Sequence, residues 1–338
     1  MRSAQFASLS AAVLLVCSAG AAAPAPKAGP PRLLVVSSNR DGNWEIYVVQ
    51  PGTGEMKNLT DDKAADTDPA WSPDGKRIAF VSDRDGGREI WAMNPDGTDL
   101  QQLTKKTGGC TNLRWSPDGK QIVFVGTKGG KENVYTADVG TGKVAQLTDN
   151  PLPSKQPAWS PDGKKISYTT FGGRWNGYLV GADGTGSEKL SGALGAVDMA
   201  WSPDGKRIAF TDVREVAGWR LFVMDADGKN AKLLNKKGNS YGNVYPQWSP
   251  DGTRISYGEM VDDVVQVGVI GADGTGAKVV TAKAMHLYTR WSPDGKSLSY
   301  CRLEKGAPVV LVVSDPDGQN AKDLIGGVAA VAAEWKPK

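Results

Sequence analysis

Trp71-Ser-Pro-Asp-Gly75 is the first of six identical pentapeptides, the others beginning at Trp115, Trp159, Trp201, Trp248 and Trp291. A degraded seventh copy, Trp335-Lys-Pro-Lys338, ends the chain. The copies stand 42 to 47 residues apart, a self-similarity that chance does not produce and that marks a repeat architecture. Around the first copy, Asp68-Pro-Ala-Trp71 reads as a short strand. Ser72-Pro-Asp-Gly75 reads as a type I turn, with Pro fixing φ at the second position and Gly accepting the positive φ of the following bulge. Lys76-Arg-Ile-Ala-Phe-Val-Ser82 is the second strand, Glu89-Ile-Trp-Ala-Met93 the third and Leu100-Gln-Gln-Leu-Thr104 the fourth, with Asn94-Pro-Asp-Gly97 turning between the last two.

The middle strands are apolar on both faces, as in Ile78-Ala-Phe-Val81 and Val309-Val-Leu-Val-Val313, so each sheet must be covered on both sides. Neighbouring sheets supply that cover in a radial array of four-stranded units, a β-propeller. The ends set the blade count. Residues 33–60 supply only three strands, and Val328-Ala-Ala-Val-Ala-Ala-Glu-Trp335 supplies one more. Three plus one makes a blade, which predicts an all-β, seven-bladed propeller over residues 32–338, closed by the C-terminal strand so that no sheet edge is free.

Ahead of the repeats, Met1-Arg2 precedes the apolar run Ala11-Ala-Val-Leu-Leu-Val-Cys17 and the small residues Ser18-Ala-Gly-Ala-Ala-Ala23. This is the pattern of a secretory signal peptide cut after Ala21 or Ala22. The run is too short to cross a bilayer, which takes about 20 residues. Residues 22–31 then form a Pro- and Ala-rich linker. The expected location is the periplasm or the exterior of a bacterial cell. Cys17 raises the question of a lipid anchor, but Val16 stands where lipidation signals carry a small residue. Cys110 and Cys301 fall in non-adjacent units and are expected to be free thiols.

Composition narrows the chemistry. Forty basic residues against 37 acidic ones give a net charge of +3, too balanced for a face that tracks nucleic-acid phosphates. A single histidine, His286, removes sites built from several imidazoles. No cofactor or metal is expected. The six turn aspartates, Asp74, Asp118, Asp162, Asp204, Asp251 and Asp294, are copies of one turn residue rather than a carboxylate array. Gly238-Asn-Ser-Tyr-Gly242 matches G-x-S-x-G, but a propeller loop lacks the strand-turn-helix that a nucleophile elbow needs. Loops such as Asp83-Arg-Asp-Gly86 lack the distal Glu of a calcium loop.

Variation between repeats concentrates on the face carrying the loops between second and third strands and between blades. There, Phe171, Arg174, Trp175, Trp219, Arg220, Tyr241, Tyr245, His286, Tyr288 and Arg290 are the residue types enriched at binding hot spots. Trp44, Trp175 and Trp219 share one repeat position, which favours packing. Tyr245, His286, Tyr288 and Arg290 read as less bound to the repeat.

The combination WSPDG-K-x-I-x-F, a Ser-Asp-Arg-Asp-Gly type loop and a terminal Leu-Thr resembles the TolB-type, WD40-like propeller repeat of exported bacterial proteins, over residues 32–338. TolB itself has six blades behind an α/β domain that contacts the Tol machinery, whereas this chain counts seven blades behind a linker. Of that function, the resemblance carries only a propeller contact of the kind TolB makes with a peptidoglycan-associated lipoprotein. The repeat also resembles the gating propellers of prolyl peptidases and the propellers of oligogalacturonate lyases, whose metal site uses several histidines. The reading is a monomeric, non-catalytic scaffold that binds an envelope protein, peptide or glycan through its loop-bearing face. The alternative is a hydrolase or lyase acting at the mouth of the central channel.

Overall fold

The computed structural model describes residues 32–213, 219–235, 244–261, 264–282, 284–325 and 330–338. Tyr241 and Gly238-Asn-Ser-Tyr-Gly242, most of the loop before Val244, and the leader and linker of residues 1–31 lie outside them. Among the described residues, twenty-eight strands form seven four-stranded antiparallel sheets. Blade one is β1 (Leu34–Ser38), β2 (Glu45–Gln50) and β3 (Glu55–Asn58), with β28 (Ala330–Trp335) innermost; blade two is β4 (Asp66–Trp71), β5 (Ile78–Ser82), β6 (Glu89–Met93) and β7 (Gln101–Gln102). Blade three is β8 (Cys110–Trp115) to β11 (Val144–Gln146) and blade four is β12 (Ser154–Trp159), β13 (Lys165–Phe171), β14 (Trp175–Gly181) and β15 (Glu188–Leu194). Blade five is β16 (Ala196–Trp201), β17 (Arg207–Asp212), β18 (Arg220–Asp225) and β19 (Lys232–Leu233); blade six runs from β20 (Val244–Trp248) to β23 (Lys278–Val279), and blade seven from β24 (Met285–Trp291) to β27 (Lys322–Ile325). The C-terminal β28 pairs with β1, Leu34 opposite Trp335 and Val36 opposite Ala333.

Each pentapeptide closes on itself. In the first copy, Gly75 N–H donates to Ser72 O (2.8 Å), Ser72 Oγ donates to Asp74 Oδ1 (2.7 Å), and Asp74 Oδ1 also accepts Lys76 N–H (3.1 Å). These bonds hold the Asp74 carboxyl below its ordinary pKa, and the other five turn aspartates are lowered too. Gly75 has φ +64°, which a side chain resists. Successive turns also stack: a Cβ on Gly119 would lie 3.6 Å from Pro73 Cδ, and one on Gly252 the same distance from Pro203 Cδ.

The core is divided among the blade interfaces. Seven buried apolar clusters each join one blade to the next, as where Ala79, Val81 and Ile90 meet Leu113, Ile122 and Phe124, or where Leu34 and Tyr47 meet Cys301 and Leu311. The tryptophans are wedges in these clusters, and four also latch. Trp115 Nε1 donates to Ala70 O (3.1 Å), Trp159 Nε1 to Arg114 O (3.3 Å), Trp248 Nε1 to Ala200 O (3.0 Å) and Trp291 Nε1 to Gln247 O (3.1 Å). In each case the acceptor precedes the tryptophan of the previous blade. Trp201 uses Ser167 Oγ instead (3.1 Å), and among the described residues the indole N–H groups of Trp71 and Trp335 have no acceptor.

The terminal Leu-Thr of a unit has its own task. Thr104 Oγ1 accepts Ile90 N–H (2.8 Å) and donates to the buried Glu89 (2.6 Å), joining the end of the fourth strand to the start of the third. Thr148 repeats this with Val134 N–H and Asn133. Cys110 and Cys301 are buried and are not joined in a disulfide.

Candidate functional site

Each innermost strand runs from the loop-bearing face toward its WSPDG turn. Partway along, its pairing with the second strand shifts register. The shift coincides with a non-glycine residue in the left-handed region three positions before the tryptophan: Asp68, Asn112, Gln156, Asp198, Tyr245 and Tyr288, with φ between +53° and +59°. Such a bulge re-aims side chains. Five of these six residues line a cavity of about 520 Å³ whose wall is built from six of the seven innermost strands, which places it in the central channel. The residues immediately before the tryptophans join them, among them Arg114, Gln247, Arg290 and Glu334, while Ala158 and Ala200 leave room opposite.

Hydrogen bonds link the wall from blade to blade. Gln156 Nε2 donates to Asp198 Oδ1 (2.6 Å), Gln156 Oε1 accepts Asp198 N–H (3.2 Å), and Asp198 Oδ2 accepts Tyr245 N–H (3.4 Å). Burial nevertheless pushes the Asp198 carboxyl up to about 6, against the pull of these two donors. Glu334 accepts Trp71 N–H (3.2 Å) and is likewise raised by burial, against the attraction of Arg114 and Arg290. Arg290 is lowered to about 10 by desolvation and by the charge of Arg114. The rings of Tyr245 and Tyr288 lie 5.8 Å apart, centroid to centroid, and both remain exposed to the cavity.

The expected binding residues therefore divide. Tyr245, Tyr288 and Arg290 come together in the channel rather than on the surrounding loops. Tyr245 and Tyr288 are also not free of the repeat, since they occupy one equivalent position in adjacent blades. Arg174 is exposed on the hairpin tip of blade four, beside Trp175, whose ring packs on Phe171 at 5.0 Å. Trp219 is exposed at the corresponding hairpin of blade five, followed by the half-buried Arg220 opposite Asp212 in the sheet. His286 is only 3% exposed, edge-on to Tyr300 at 5.2 Å, with Nδ1 unpartnered and its pKa lowered to about 4 by burial. It stands five residues before its tryptophan, the position of buried Asp66, Cys110 and Ser154 in other blades, and does not share a surface with the tyrosines.

The wall residues Arg114, Gln156, Asp198 and Glu334 were not singled out from sequence. Their signal is positional: the sites one and three before the tryptophan carry Ala, Arg, Gln, Glu, Asp, Asn or Tyr while the pentapeptide beside them stays constant. Among the described residues, no group of three or more His, Cys, Asp or Glu side chains is placed to hold a metal, and no helix is long and apolar enough to cross a membrane.

Seven radial blades around a polar, aromatic-lined channel define a β-propeller of the WD40-like class. The chain belongs to the TolB β-propeller domain family, which it matches over residues 10–203 and 150–337. Similar solved structures include TolB from Acinetobacter baumannii (19% identical, covering 90% of this chain and 83% of that one, TM-score 0.60). They also include an oligogalacturonate lyase in complex with manganese (15% identical, 84% and 86% covered, TM-score 0.71) and the β-propeller domain of the trilobed protease from Pyrococcus furiosus (18% identical, 87% and 94% covered, TM-score 0.67). At these identities the likeness is one of fold. A comparison with curated proteins finds no match.

Proposed function

We propose that this is an exported, non-catalytic propeller that binds a protein, peptide or glycan of the bacterial cell envelope through the loop-bearing face of blades four to seven. One observation carries the reading. Of the large apolar side chains that are exposed among the described residues, Leu152, Phe171, Trp219, Tyr245, Met285 and Tyr288 all belong to blades four to seven or the approach to blade four. Leu100 alone lies elsewhere. They sit on that face or in the channel behind it, with Arg174 exposed among them. A one-sided gathering of aromatic, apolar and arginine side chains is the composition of an interface. Export is supported by the leader pattern of residues 1–21. Binding is favoured over hydrolysis or elimination at the channel mouth by His286, which is buried against Tyr300 instead of facing an acid and a substrate.

Site-specific photo-crosslinking in intact cells tests this. A crosslinker at Phe171, Trp219 or Tyr288 should give discrete adducts, and one at Asp96 or Asp162, on the opposite turns, should not. Adducts of equal yield from both faces would remove the reading.

A further inference from the structure

Arg114 and Arg290 face the same cavity from blades three and seven. A guanidinium has five N–H donors. Among the described residues, the guanidinium of Arg114 bonds only to the carbonyl of the preceding Leu113 (2.7 Å), and that of Arg290 only to the carbonyl of the preceding Thr289 (3.1 Å). Among the described residues, no carboxylate comes within 4.0 Å of either guanidinium. The nearby acids accept hydrogen bonds from other groups, Asp198 from Gln156 and Tyr245 and Glu334 from the Trp71 backbone, so Glu334 attracts both arginines through its charge without bonding to either. Two like charges thus share a cavity with most of their donors uncommitted. A bound anion relieves both conditions, because arginine recognises carboxylate geometry through paired N–H donors.

We propose that the central channel is a binding site for an organic carboxylate, its anion held by Arg114 and Arg290 and its body laid against Tyr245 and Tyr288. The charge of the wall sets the class. Asp198 and Glu334 line the same wall, and their repulsion is smaller for a singly charged carboxylate than for a doubly charged phosphate. The volume of about 520 Å³ lies within the range of small-molecule sites. The tyrosine pair offers apolar surface beside a polar rim, and the exposed Asn112 and half-buried Gln247 supply further hydrogen-bonding groups. The site does not depend on what docks on the loop face. The carboxylate belongs to a free small acid or to the C-terminus of a peptide, and the two are separable.

Isothermal titration of the full chain is the test, with benzoate against benzamide, and N-acetyl-glycyl-phenylalanine against its C-terminal amide. At least one acid is expected to bind while its amide does not. Preference for benzoate assigns the site to small acids, and preference for the peptide acid assigns it to peptide ends. Arg290→Gln and Arg114→Gln should each weaken binding about tenfold or more, the loss expected for a charge-assisted hydrogen bond. Arg114 is exposed to the channel, so Arg114→Gln carries the test if Arg290→Gln does not fold. No heat with either acid, equal binding of acid and amide, or unchanged affinity in folded Arg114→Gln would overturn the proposal.

Discussion

At the scale of single residues, the indole N–H of the repeat tryptophan does what its bulk alone does not. Trp291 fills the interface between blades six and seven and ties Gln247 O to it at 3.1 Å. Trp291→Phe keeps an aromatic wedge but leaves that carbonyl without its donor, and should cost about 1–3 kcal/mol in urea unfolding. The same substitution at Trp335, whose indole has no acceptor, should cost less. Equal losses at the two sites would show that volume alone matters.

His286 sets a pH dependence. Its pKa lies near 4 in the fold and near 6.5 when unfolded. Between those values the unfolded chain binds a proton that the native one refuses, so stability falls as pH drops from 6.5 toward 4. The loss attributable to this residue is about 2–3 kcal/mol by pH 4.5. Asp198 acts with the opposite sign: its folded pKa of about 6 lies above the ordinary aspartate value, so the native state keeps a proton the unfolded chain has lost, and acidification below 6 favours the fold. His286→Phe should therefore lose less stability than the parent between pH 7 and 4.5 in parallel denaturant titrations. Superimposable pH profiles would dismiss His286 as the cause.

At the scale of elements, the bulges on the innermost strands of blades three to seven help build the channel wall. Asn112 holds φ at +54°, a conformation that Asn and Gly tolerate and β-branched residues resist. Asn112→Val should destabilise by about 1–2 kcal/mol while Asn112→Gly is nearly neutral, read from thermal melts. If both variants melt alike, the left-handed turn is not what constrains the position.

The bulge also explains how much was legible. The blades could be read because WSPDG announces the same turn six times and Leu-Thr the same strand end. A strand period of two assigns faces only while the pairing is regular. The register shift before each tryptophan breaks that count, so Tyr245 and Tyr288 read as loop-face residues but enter the channel, and Arg114, Asp198 and Glu334 carried no mark of their own. His286 stands out in the sequence only by its rarity. Its repeat position, shared with Asp66, Cys110 and Ser154, already pointed to burial.

At the scale of the whole molecule, the sheet of blade one draws on both ends of the fold, since β28 joins β1 while its Trp335 packs against Leu311 and Ile325 of blade seven. Deleting residues 327–338 removes that strand and leaves a sheet edge and an apolar interface uncovered. The truncated chain should melt lower than the parent and elute as aggregate on size exclusion. A variant that melts and elutes like the parent would show that six blades and three strands suffice.

The seven interfaces are also not equally fastened. On either side of blade one, at Trp335 and at Trp71, the indole latch found elsewhere is missing, and the strand that completes the blade returns from the far end of the sequence. Under mechanical load, a circle parts at its weakest joint. Blade one is the expected clasp of this bracelet, and native-state amide exchange should show it as earliest opening along Leu34–Ser38; equal protection in the matching strands of the other blades would show that the indole latches do not set the weak joint.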